Sequence, residues 1–278
     1  MKYRDILNRL KSAAAQVYDP REAEAVARFA AEELWGISAT QMVLNPEGEC
    51  DAPELEVVAE RLSSGEPVQY IIGSTEWCDL RLEVGQGALI PRPETEELVR
   101  WITADYRHRE GLHIVDLGTG SGAIAIALAD RLIDSHITAF DISDDALAIA
   151  RRNGAKHAPQ VDFRKGDMLT LEPMEGLDIV VSNPPYVPQS DLESMHRNVK
   201  DWEPHTALFV PDERPLIFYE AVVDFAVRSL KSGGRLYCEI YEHLAQQTVE
   251  MAARRGLPAG EIRCDIMDKP RMIRWTKP

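Results

Sequence analysis

The sequence predicts an α/β protein: a doubly wound parallel sheet of seven strands, preceded by a small helical bundle. Three observations predict it. From residue 112 onward, short β-rich runs alternate with helical ones. Before residue 75, apolar residues recur at helical spacing. Between these regions lies a stretch of strict apolar–polar alternation closed by glycines. The expected domains are 1–74 (helical), 75–90 (a β-hairpin linker) and 91–278 (the sheet).

In chain order, Ile6, Leu7, Leu10, Ala14 and Val17 mark a first helix within residues 2 to 17. Asp19-Pro20 supplies an N-cap and first-turn pair for a second helix carrying Val26, Ala30 and Leu34, which Gly36 ends. Ser38 caps a short helix through Met42 to Leu44, and Asp51 opens another through Leu55, Val58 and Leu62 that stops near Gly65. Trp77 to Val84 reads as one strand leading to turns at Gly85 and Gly87. Ile90-Pro91-Arg92-Pro93-Glu94-Thr95-Glu96-Glu97-Leu98 is a rigid entry into an amphipathic helix with Leu98, Val99 and Ile102. The seven strands are expected at His113–Leu117, His136–Phe140, Val161–Arg164, Leu177–Ser182, Arg235–Ile240, Ile262–Ile266 and Met272–Trp275.

After the first of these strands comes Gly118-Thr119-Gly120-Ser121-Gly122, then a helix of small residues. Glycines at the carboxyl end of the first strand let backbone approach a ligand closely, where open α/β sheets bind nucleotides. The spacing is G-x-G-x-G, one residue short of a dinucleotide fingerprint, so a nucleoside fits better than a pyrophosphate. The second strand ends in Asp141, placed to accept from a ribose diol. The third ends in Gly166-Asp167-Met168, where Asp167 can accept from an adenine amine and Met168 can pack on the purine.

The fourth strand is cut off by Asn183-Pro184-Pro185-Tyr186. Proline fixes its own φ, lacks an N–H and holds the residue before it extended, so this segment is rigid and rich in acceptors. Asn183 Oδ1 and the Pro184 carbonyl can each accept one hydrogen of a planar –NH2 group, while Tyr186 offers a ring face and the first backbone N–H after Asn183. The Asn183–Tyr186 segment is the candidate substrate clamp, with Asn183, Pro184 and Tyr186 carrying the chemistry.

Composition narrows the function. The chain has 278 residues, 45% of them hydrophobic and 28% charged, and a formal net charge of -15, which repels phosphate backbones and disfavours direct nucleic-acid contact. Cys50, Cys78, Cys238 and Cys264 form no C-x-x-C pair, and the histidines show no metal spacing, so neither a disulfide framework nor a metal is expected. No apolar run reaches membrane-spanning length. These features predict a cytoplasmic protein with no bound metal.

Asp116 to Gly122, Asp141 and Asn183-Pro184-Pro185-Tyr186 together resemble S-adenosylmethionine-dependent methyltransferases of planar amino or amide nitrogens. With Ser64-Gly65-Glu66-Pro67-Val68-Gln69-Tyr70-Ile71-Ile72-Gly73, Leu89 to Glu96, and Glu203-Pro204 with Ala207-Leu208, the chain resembles the peptide chain release factor N5-glutamine methyltransferase family nearly end to end. The resemblance implies a Rossmann-like methyltransferase domain over 91–278 and an N-terminal bundle for substrate recognition. It implies methylation of the glutamine amide in the Gly-Gly-Gln motif of class 1 release factors, by a monomer using S-adenosyl-L-methionine. Gly118, Thr119, Gly120, Ser121, Gly122, Asp141, Asp167, Met168 and Asn183 would contact the donor. Asn183, Pro184, Pro185 and Tyr186 would hold the glutamine. Three places depart from the family: Met168 for a frequent aromatic, Tyr241 for a glycine, and a loose match over Asp265 to Arg274. The last two are expected to lie outside the donor and acceptor pockets. Alternatives are a ribosomal-protein glutamine methyltransferase, a DNA adenine-N6 methyltransferase, and a non-enzymatic nucleoside-binding module.

Overall fold

Amphipathic spacing in the first third of the chain produces five helices: α1 Tyr3–Ala14, α2 Pro20–Trp35, α3 Ala39–Leu44, α4 Leu55–Ser64 and α5 Val68–Ile72. The computed structural model describes residues 1–278. Ile6, Leu10 and Ala13 put one face of α1 into a core shared with Ala27, Ala30 and Ala31 of α2 and Leu55, Val58 and Leu62 of α4. Asp19 caps α2 by accepting the Arg21 and Glu22 N–H groups, and Gly36 ends it at φ 67°. Ser38 and Gln41 form a reciprocal capping box on α3. The helix expected from Asp51 begins at Leu55, because Glu54 stands at φ 61° and only then does the chain turn helical. Helix α5, between Pro67 and Gly73, has no counterpart in the expected elements.

The chain divides into two units, Met1–Thr75 with Ser194–Glu203, and Glu76–Glu193 with Pro204–Pro278. The sequence predicts 91–278 as one domain. Ser194–Glu203 belongs instead with the helices: His196 stacks on Tyr18 at 5.3 Å between centroids, and Asn198 Nδ2 donates to the Tyr18 hydroxyl at 3.4 Å. No helix is long and apolar enough to cross a membrane.

The remaining elements are β1 Ser74–Trp77, β2 Leu80–Glu83, α6 Pro93–Tyr106, β3 His113–Leu117, α7 Ala123–Arg131, β4 His136–Asp141, α8 Asp144–His157, β5 Asp162–Lys165, β6 Leu177–Ser182, β7 Val187–Pro188, α9 Arg197–Lys200, β8 Phe209–Val210, α10 Ile217–Ser229, β9 Leu230–Glu239, α11 Ala245–Arg254, β10 Gly260–Cys264 and β11 Pro270–Thr276. The single strand expected over Trp77 to Val84 is broken by a tight turn at Cys78 and Asp79, with φ 52° and 64°. Two consecutive left-handed residues make the kind of turn that joins two-residue hairpins. Glu96 accepts the Cys78 N–H and Arg131 donates to the Cys78 carbonyl, so the turn is held from outside.

The large sheet has seven strands in the order β10-β11-β9-β6-β3-β4-β5. It is not all parallel as expected. β11 runs antiparallel to both β9 and β10, while β9, β6, β3, β4 and β5 are mutually parallel. Alternate strand residues feed opposite layers: Ile114, Ile137, Ile179 and Val181 pack toward α6 and α7, Val115, Val180 and Leu236 toward α10 and α11. The strand order reverses between β6 and β4 on either side of β3, which opens a crevice at the carboxyl ends of the strands.

Candidate active site

Strand register assembles the site. Leu117 pairs with Phe140 and with Ser182, and Ser182 pairs with Cys238. The residues that follow, Gly118, Asp141, Asn183 and Glu239, therefore stand as one row at the carboxyl ends of the strands. The Ser182 hydroxyl donates to the Leu117 carbonyl at 2.7 Å, tying the end of β6 to that of β3.

Beside this row lies a cavity of about 310 Å³, within the size range of small-molecule sites. Gly118, Gly120, Asp141, Asp167, Met168, Asn183 and Pro185 line it. A Cβ on Gly118 would stand 2.8 Å from Met168 Cε, and its φ is +76°, so a side chain there would be strained and would displace the end of Met168. Asp141 Oδ2 accepts the Gly120 N–H at 2.8 Å and Oδ1 the Ser143 N–H at 2.9 Å. The carboxylate keeps acceptor capacity for a further donor. Burial raises the Asp141 carboxyl above the ordinary range, against the pull of the Ser143, Gly120 and Ile142 N–H groups. Asp167 Oδ1 accepts the Leu169 N–H at 2.9 Å, which fixes its loop.

Thr119, Ser121, Gly122, Pro184 and Tyr186 do not line that cavity. The Thr119 hydroxyl donates to Asp116 Oδ2 at 2.6 Å, and buried Asn153 donates to the Ser121 carbonyl at 3.0 Å. Gly122 caps α7 at φ 84° and lies against Phe163. These residues shape the glycine loop from behind. Pro184 is buried, and the Tyr186 N–H, the first after Asn183, donates to the Leu208 carbonyl at 3.2 Å. That bond and the β7–β8 pairing bring Pro204, Thr206, Ala207 and Phe209 to the cavity wall.

A second polar cluster backs Asn183. Asn183 Nδ2 donates to Thr95 Oγ1 at 3.2 Å, the Thr95 hydroxyl donates to Glu239 Oε2 at 2.5 Å, and the Tyr186 hydroxyl donates to Glu239 Oε1 at 2.9 Å. Glu239 is 2% exposed. Burial raises its carboxyl above the ordinary range, opposed by the two hydroxyls and by Arg271. Tyr186 is pushed well above its usual range by burial and by the Glu239 charge.

Tyr241 and Arg271, expected outside the pockets, adjoin the acceptor segment instead. The Tyr241 ring stacks on Tyr186 with centroids 6.0 Å apart, and its hydroxyl donates to Asp191 at 2.7 Å. Arg271, paired with Asp265 at 3.0 Å, acts on the Tyr186 hydroxyl. Sequence reading also missed Thr95, Glu239, Phe140 and Phe218, the last two on the cavity wall. Glu239 carried a signal, being a carboxylate inside the apolar run Leu236 to Ile240.

The cavity joins apolar faces at Phe140, Ile142, Met168 and Phe218 to the Asp141 and Asp167 carboxylates and the Asn183 amide. That donor and acceptor set fits a purine nucleoside with a polar tail. Residues 95–201 match the family model for the methyltransferase small domain, and residues 5–73 the model for the PrmC N-terminal domain. The release factor glutamine methyltransferase of Bacteroides thetaiotaomicron is 38% identical over 95% of this chain and 96% of its own length. That of Flavobacterium psychrophilum is 38% identical over 94% of each chain, and that of Streptococcus pneumoniae 39% identical over 91% of each.

Proposed function

This chain belongs to the release factor glutamine methyltransferase family, and from that membership we propose that it transfers a methyl group from S-adenosyl-L-methionine to a glutamine side-chain amide. The acceptor is the glutamine of the Gly-Gly-Gln motif in class 1 peptide chain release factors. The observation that carries this reading is the position of Asn183, which shares the cavity wall with Gly118 and Asp141 and has its Nδ2 tied back to Thr95.

Asp141 would hold the donor's ribose hydroxyls and Asp167 its adenine amine, between the apolar faces of Ile142 and Met168. Gly118 and Gly120 leave room for the methionine part. When bound, the sulfonium donor supplies a methyl carbon made electrophilic by its positive sulfur, and the carbon–sulfur electron pair stays with sulfur as the nitrogen–carbon bond forms.

An amide nitrogen is a poor nucleophile because its lone pair is delocalised into the carbonyl. Asn183 Oδ1 and the Pro184 carbonyl accept the two amide hydrogens, which raises electron density on nitrogen and fixes its direction of attack. One of those hydrogens is then lost to solvent as a proton, restoring a neutral amide. The net charge of -15 supports a protein acceptor over a nucleic acid. The same reading has the enzyme act as a monomer in the cytoplasm, where release factors work.

Intact-mass and peptide mass spectrometry of a release factor incubated with the protein and S-adenosyl-L-methionine tests this reading. One added methyl on the Gly-Gly-Gln glutamine is expected, at a rate reduced by ~10²-fold or more in Asn183→Ala. An unmodified release factor beside demonstrated donor binding overturns the assignment of substrate. An Asn183→Ala variant as fast as wild type removes Asn183 from the chemistry.

A further inference from the structure

The two ends of an asparagine amide have nearly the same size and shape, so packing alone selects poorly between them. At Asn183 the choice decides function. Presented one way, the amide offers Oδ1 to the substrate –NH2 group; presented the other way, it sets donor against donor.

The selection comes from a group outside the cavity wall. A buried carboxylate is costly unless donors satisfy its oxygens, and Glu239 takes the Thr95 hydroxyl on Oε2 at 2.5 Å and the Tyr186 hydroxyl on Oε1 at 2.9 Å. The Thr95 hydroxyl has one proton, and it is committed to Glu239. Toward Asn183, Thr95 Oγ1 can therefore only accept, and only Nδ2 can donate across the 3.2 Å Nδ2–Oγ1 contact. We propose that Glu239 is a positioning residue which, through the Thr95 hydroxyl, fixes the Asn183 amide with Oδ1 turned to the substrate, and through the Tyr186 hydroxyl anchors the other end of the same segment. The proposal rests on reading Asn183 as the acceptor of the substrate amide hydrogens. It assigns a function to Thr95, in the Pro93-Glu94-Thr95-Glu96 run, which brings that hydroxyl to the site at the first turn of α6.

Thr95→Val removes the hydroxyl at nearly constant shape, and Thr95→Ser keeps it. For methyl transfer to the release factor, Thr95→Val is expected to lower kcat ~10²-fold, the loss typical of a misoriented reacting group. Donor affinity by calorimetry should stay within about twofold of wild type, and Thr95→Ser should restore most of kcat, which a purely structural role would not produce. Equal kcat in Thr95→Val and wild type, or an equal fall in both variants, overturns the proposal.

A second measurement needs no transfer and no Val variant. Nitrogen-15 NMR of the wild-type protein, with the Asn183 side-chain signal identified by its loss in Asn183→Ala, should show an Nδ2 hydrogen protected from exchange with water. In Glu239→Gln, whose amide can either donate to or accept from Thr95, that protection should drop. Unprotected hydrogens in wild type, or full protection in Glu239→Gln, overturns the orienting role. If wild type binds donor but leaves the release factor unmethylated, the substrate reading fails alone, and the NMR result still decides the orientation.

Discussion

Asp116 sits fully buried at the base of the glycine loop, where burial pushes its carboxyl up to about 7, helped by the Asp141 charge and opposed by the Thr119 hydroxyl and the Ala125 N–H. Its unfolded value is about 3.9, so the folded state binds the extra proton between the two. The stabilisation is complete below the unfolded value and is lost as pH rises through about 7. Thermal melts of Asp116→Asn and wild type without donor should show the variant gaining relative stability from pH 5 to pH 8; a constant difference would refute the shift. Local sequence made the Gly118 loop, Asp141 and Asn183 legible, because each lies in a short motif at a strand end. The pairing of Thr95 with Glu239 was not: Glu239 stands out only as a carboxylate in an apolar run, and 144 positions separate it from Thr95, so the fold alone joins them.

Among the elements, α8 and the start of α7 meet around one ring. An added Cβ would approach Phe163 to 2.5 Å at Gly154 and 3.1 Å at Gly122, so the ring is clamped between the two glycines. Gly-to-Ala in an exposed helix interior gains about 1 kcal/mol, but overpacking a tight site costs about 1–3 kcal/mol. The clash should win. Gly154→Ala is expected to lower stability in urea denaturation and to weaken donor binding, as the ring is driven toward Gly122; a stabilised variant would show that the ring moves freely. Strand positions read well from short β-rich runs between helical ones, but such runs carry no direction. The reversal of β11 was nevertheless accessible: the expected strands ending at Ile266 and beginning at Met272 leave too short a link for a parallel crossover, which needs a dozen or more residues. The turn at Cys78 and Asp79 was hidden because neither residue is glycine or asparagine, the usual left-handed pair.

For the whole molecule, β11 joins β10 to the rest of the sheet, pairing with β10 on one side and β9 on the other. Met272, Ile273 and Trp275 are almost fully buried, and burying each contributes about 1.5–3 kcal/mol, a sum comparable with the 5–15 kcal/mol stability of a typical protein. Removing residues 270–278 should therefore abolish the cooperative melt of the sheet unit and expose the edges of β9 and β10 to aggregation, as followed by circular dichroism and light scattering. A truncated protein that melts like the full chain would place the core elsewhere. The position of β11 also sets a birth order. It is the last of the seven strands to be synthesised, yet it inserts between two strands made before it. A nascent chain reaching Phe218 already carries every residue of the cavity wall, while Glu239 and Arg271 have still to be translated. All the residues of the cavity wall thus precede Glu239 in the chain, but the wall is held in place only once β9 and β11 have joined the sheet, so the order in which the residues are made is not the order in which the site takes shape.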